Sequence, residues 1–91
     1  MSVEVRLPTL LRPAAEGAAS VSLDGSTVGD VLRALVSSYP SLTGQVLTED
    51  GSLHKFVNVY LNDDDVRYLD KLETKVTDTD VLSILPAVAG G

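Results

Sequence analysis

The sequence predicts a two-layer α+β domain in which one mixed sheet of four to five strands is covered by one main helix. Three observations carry that prediction. Short runs of alternating apolar and polar residues recur along the chain, only one stretch has helical periodicity, and the order reads strand, strand, helix, strand, short strand, strand. A chain of 91 residues forms a single domain around one core. At 44% hydrophobic and 22% charged, it lies on the folded side of the disorder boundary.

Val3, Val5 and Leu7 alternate with Glu4 and Arg6, the period-two pattern of a strand with one face inward, and Pro8 ends it. Ala19, Val21 and Leu23 resume the alternation against Ser20, Ser22 and Asp24. The two runs form a hairpin whose long tip, Thr9 to Gly17, reads as loop from Pro13, Gly17 and its small residues. After the break at Gly25-Ser26, Thr27 stands three positions before Asp30, the spacing of a capping box. Val28, Val31, Leu32, Leu35, Val36 and Tyr39 then fall on one helical stripe, and Pro40 stops the helix. Gly29 weakens the first turn by about 1 kcal/mol relative to alanine, which burial of the stripe offsets.

Leu42, Val46 and Leu47 around Gly44 predict an irregular turn or short helix, and residues 48–52 a loop. From Phe56 to Leu61, Val57, Val59 and Leu61 share one face of a strand, and Phe56, Asn58 and Tyr60 share the other. Asn62 to Asp65 turns the chain, Val66-Arg67-Tyr68 is expected as a short strand, and Asp78-Thr79-Asp80 turns again before a last strand from Val81 to Leu85. Leu82 and Ile84 lie on one face of that strand.

Composition excludes several function classes. Without cysteine there is no disulfide, zinc ribbon, iron–sulfur cluster or thiol nucleophile, and a single histidine cannot build a histidine-rich metal site. A net charge of −6 is the wrong sign for phosphate backbones or anionic lipid, so no nucleic acid or membrane partner is expected. No apolar run approaches the roughly 18 residues that span a bilayer, and Met1 to Arg6 has no positive leader followed by an apolar block. The expected location is the cytoplasm.

The C-terminus is the unusual feature: Pro86-Ala87-Val88-Ala89-Gly90-Gly91 is small, uncharged and ends in two residues without side chains. Residues 1–85 are expected to be the folded domain and 86–91 a flexible tail. A terminal glycine pair arises by chance in roughly one chain in 200. Six extended residues span about 20 Å, enough to carry the terminal carboxylate into a partner's buried active site while the domain stays outside. An ionised carboxylate is a poor electrophile, so chemistry at Gly91 requires an activated ester, and adenylation by an ATP-using partner is the direct route.

Several runs are more specific than the glycine pair: Pro8-Thr9-Leu10-Leu11-Arg12-Pro13, the segment from His54 to Asp63, Asp65-Val66-Arg67, and Ile84-Leu85-Pro86 leading into the tail. Through them the whole chain resembles the ubiquitin-like β-grasp fold, in the form of the prokaryotic sulfur carrier proteins of the ThiS and MoaD type, and in particular the CysO-like carriers of actinobacteria. The resemblance implies a protein that catalyses nothing itself. An E1-like adenylating enzyme would activate Gly91 with ATP and magnesium, and sulfide would displace AMP to leave a C-terminal thiocarboxylate. For CysO-like members it further implies a pyridoxal-phosphate-dependent cysteine synthase as sulfur acceptor and a JAMM-type metalloprotease that releases cysteine. Gly90, Ala89 and Val88 would thread the activating enzyme's channel. The lack of cysteine agrees, since no internal thiol can attack the activated acyl group. Two departures stand out: Thr79 occupies a turn where relatives often place glycine, and Ala87 and Ala89 differ from the molybdopterin-type carriers. Thiamin, molybdopterin and thiolated natural products remain alternative destinations for the sulfur, as does a modifier that forms isopeptides through Gly91.

Phe56, Tyr60 and Leu85 are expected on the sheet's open side near the tail's root, either as a docking patch for the adenylating enzyme or as scattered surface apolar groups. Asp63-Asp64-Asp65 lacks the ligand spacing of a calcium loop and reads as a solvated turn. His54 has no second histidine and no cysteine to share a metal, a triad built on it would need serine and acid brought together in a domain too small for a cleft, and no glycine lies in a phosphate-cradling loop. A monomer is expected, because successive enzymes need the same surface. A plain interaction module with an inert end is the reading from another class.

Overall fold

The computed structural model describes residues 2–48, 51–54 and 57–86. Five strands and one α-helix make up its regular elements: β1 (Ser2–Arg6), β2 (Ser20–Asp24), α1 (Val28–Ser38), β3 (Val57–Leu61), β4 (Asp64–Asp65) and β5 (Val81–Pro86). The sheet runs in the order β2-β1-β5-β3-β4. β1 and β5 are parallel, and every other pairing is antiparallel. This is the expected β-grasp sheet, with the last strand at its centre.

Alternation decides which face is buried. Val3, Val5, Val59, Leu82 and Ile84 point inward and join Val28, Val31, Leu32 and Leu35 of α1 in one core. Val36 and Tyr39, at the edge of the stripe, pack against this core only in part. Leu11, Leu42, Val46, Val66 and Val76 come from the connections and close the ends.

α1 starts as its sequence demands, with Thr27 Oγ1 accepting from Asp30 N at 3.1 Å. The reciprocal half of the capping box is displaced by one residue: Asp30 Oδ2 accepts from Ser26 N at 3.4 Å. Tyr39, the residue before Pro40, leaves the helical region at φ −130°, ψ 80°. Pro40–Leu42 then forms a 3₁₀ turn, the short helix expected near Leu42.

Two expectations need correction. The hairpin tip is not loop throughout: Thr9–Ala15 is a 3₁₀ segment that buries Leu11 and Ala15. Pro13 does not prevent it, because the short i→i+3 turns of such a segment need few of its N–H groups. Val66–Tyr68 is also a 3₁₀ turn rather than a strand. The Asp65 carboxylate accepts from Arg67 N at 2.9 Å and turns the chain after only two paired residues. At the turn before β5, Thr79 fits without strain, since among the described residues the non-glycine ones with positive φ are Glu16, Asn62 and Lys71.

Candidate functional site at the root of the tail

β5 delivers the C-terminus from the middle of the sheet. Its last residues stay paired with β3, Leu85 opposite Asn58 and Pro86 opposite Val57. Its parallel pairing with β1 ends earlier, at Ser83 opposite Arg6. β1 gives way to Leu7 and Pro8, and the chain turns off into the 3₁₀ segment. One flank of Ile84 and Leu85 therefore opens on a groove of about 390 Å³ lined by Arg6, Leu7, Pro8, Thr9 and Arg12.

Directly opposed residues of paired strands share a face. Asn58 with Leu85, and Tyr60 with Ser83, thus lie on the side of the sheet away from α1. Leu85 is 45% exposed and Tyr60 is half-buried, so two of the three expected docking residues share the open face. Phe56, the third, lies outside the described residues, as do Val88, Ala89, Gly90 and Gly91.

Arg67 holds the start of β3. Its guanidinium donates to Asn58 Oδ1 at 2.5 Å, to Val57 O at 2.9 Å and to His54 O at 3.1 Å. A planar fork suits three acceptors spread over His54 and the first two residues of β3, where an ammonium would not. In the sequence Arg67 stands out only within Asp65-Val66-Arg67, and no local signal links it to residues nine to thirteen positions earlier. Leu10 likewise carries no local signal of its position. It is 74% exposed beside a second cavity of about 240 Å³ lined by Leu11, Gly44, His54 and Val57. Of the adjacent pair Leu10-Leu11, the turn buries only the second.

His54 is placed by its backbone, with N donating to Val46 O at 2.9 Å and O accepting from Arg67. Among the described residues, no three histidines or acids gather where they could hold a metal ion. Among the same residues, no helix is long and apolar enough to cross a membrane. The arrangement can present an emerging chain end beside an exposed, partly apolar sheet face.

Comparison with known proteins bears on that arrangement. Residues 5–91 match the ThiS family. The chain is 45% identical over 93 residues, 100% of both chains, to the sulfur carrier protein CysO of Mycobacterium tuberculosis. It is 46% identical over 68 residues to small archaeal modifier protein 3 of Haloferax volcanii, covering 75% of this chain and 73% of that one. A chain in the crystal structure of the Amycolatopsis orientalis BexX/CysO complex superposes with a TM-score of 0.88 at 44% identity, over 98% of this chain and 99% of that one.

Proposed function

The chain belongs to the ThiS family, and we propose that it is a cytoplasmic, monomeric sulfur carrier protein loaded at Gly91. The observation that carries the reading is a pairing of sequence and fold. A chain alike over its full length to a CysO carrier ends in Gly90-Gly91, five residues beyond a strand held at the centre of the sheet.

In this reading the Gly91 carboxylate attacks the α-phosphate of ATP in an E1-like enzyme that also uses magnesium, and pyrophosphate leaves. Sulfide then attacks the acyl carbon and AMP departs with the C–O bonding pair, leaving a thiocarboxylate. Val88, Ala89 and Gly90 thread the channel, being too small to block it, while Phe56, Tyr60 and Leu85 dock on the enzyme outside it. The sulfur passes to a pyridoxal-phosphate-dependent cysteine synthase, and a JAMM-type metalloprotease frees the product. The chain contributes position and no catalysis.

Incubation with such an activating enzyme, ATP, magnesium and sulfide is expected to raise the intact mass by the difference between a sulfur and an oxygen atom. Deleting Gly90 and Gly91 is expected to abolish the change. A full-length chain whose mass stays constant while the enzyme turns over ATP would defeat the proposal.

Likeness to a small archaeal modifier protein favours a second reading, in which a lysine amine attacks the activated Gly91 to form an isopeptide. Higher-mass adducts in cell lysate that vanish on deleting Gly91 would select it.

A further inference from the structure

We propose that Arg12 is a specificity residue of the tail's root, reading a carboxylate side chain at the mouth of the channel that receives the tail; this rests on the carrier reading above. Arg12 is half-buried in the groove beside Leu85, and its Nε donates to Leu7 O at 3.1 Å. That bond fixes the plane of the guanidinium. Its two terminal amino groups have no hydrogen-bond partner among the described residues.

The other arginines are engaged. Arg6 pairs with Glu4 at 2.7 Å and Arg33 with Asp30 at 2.9 Å, while Arg67 is committed to β3. In a chain of net charge −6, the arginine that is neither ion-paired nor committed to β3 among the described residues therefore stands where β5 ends. A fixed fork with both terminal nitrogens open matches a carboxylate end-on, through two parallel charge-assisted hydrogen bonds.

Reach decides between the anions an activating enzyme offers. Threaded extended through a channel, five residues beyond Pro86 would span about 17 Å, which would put the phosphates that react with Gly91 well beyond hydrogen-bonding distance of the groove. An aspartate or glutamate on the channel rim, covering Thr9, Arg12 and Leu85 as the tail enters, is the group that can meet Arg12. Such a contact sets affinity and its salt dependence and leaves the chemical step alone.

The test measures loading by intact mass across carrier concentration and salt. Arg12→Ala is expected to raise the concentration for half-maximal loading about tenfold, with the maximal rate kept and the salt dependence flattened. Arg12→Glu is expected to weaken it further, and Arg12→Lys to recover part of the salt dependence. Arg33→Ala, which makes the same change in net charge on α1, is expected to match the unaltered chain, and thermal melts confirm that each variant is folded. If Arg12→Ala loads at the unaltered half-saturation, or Arg33→Ala shares its deficit, the proposal is overturned while the carrier reading stands. If Arg12→Ala loads faster, as when Arg12 restrains the chain's own terminus, it is overturned too. Failure of the unaltered chain to load at all removes both.

Discussion

Asn62 and Asp80, eighteen residues apart, are joined side chain to side chain, with Nδ2 of Asn62 donating to Oδ1 of Asp80 at 3.1 Å. Around this bond the turn after β3 is fastened to the turn before β5. Asn62 Oδ1 accepts from Val81 N at 3.1 Å, and Asn62 N donates to Val81 O at 2.8 Å. Asp80 Oδ2 accepts from Thr77 N at 2.8 Å. The strand that carries the C-terminus is thus pinned at its first residue.

Asn62→Ala is expected to destabilise the fold by about 2 kcal/mol. It loses both side-chain hydrogen bonds and forces a Cβ-bearing residue without polar compensation to hold φ 58°. Asn62→Gly should cost less, because glycine holds that angle without strain. Denaturant unfolding checks the order: equal losses for alanine and glycine would mean that the angle carries no cost.

Acid should weaken the fold through two carboxyls. The backbone N–H of Thr77, then the Asn62 amide, hold Asp80 below the ordinary aspartate value of 3.8. Asp30 is lowered first by its hydrogen bond from Arg33 and next by the Ser26 N–H. A folded-state pKa below the unfolded one gives stability that is present above about 3.8 and lost as pH falls through the folded value. Asp80→Asn should therefore lower stability at pH 7 and flatten the decline below about pH 4. An unchanged slope in a pH series of melts would contradict the assignment.

Gly29→Ala should cost about 1 kcal/mol, although a glycine-to-alanine change inside a helix ordinarily gains about that amount. A Cβ on Gly29 would stand 3.0 Å from Leu72 O and 3.2 Å from Leu72 Cβ, in the 3₁₀ turn Lys71–Glu73 packed on α1. A rise in melting temperature would show that this turn yields without penalty.

Truncating Arg67 to alanine is expected to cost about 2–3 kcal/mol, since three acceptors lose their donor together. Arg67→Lys should recover less than half, as one ammonium cannot serve acceptors spread from His54 to Asn58. Amide exchange at the start of β3 should accelerate in both variants.

Removing Leu32, fully buried in the core, as Leu32→Ala should cost about 2–5 kcal/mol by denaturant titration. A loss under about 1 kcal/mol would mean the two layers close over the gap.

The sequence by itself determined the two layers, the helix and its cap, and the inward residues of β1, β2, β3 and β5. These are local properties: a period of two or of 3.6, a threonine three residues before an acid, a proline that cannot continue a helix. It also placed Tyr60 and Leu85 on one face, because alternation is enough to say so. Only the tertiary structure decided that β5 lies between β1 and β3, that Arg67 clasps the start of β3, and that Arg12 keeps an open edge beside Leu85. Each of these depends on groups far apart along the chain meeting across the sheet, and periodicity holds no information about which distant partner a side chain meets. The two-residue β4 was hidden for the opposite reason: the Asp65 carboxylate ended it before any alternation could develop.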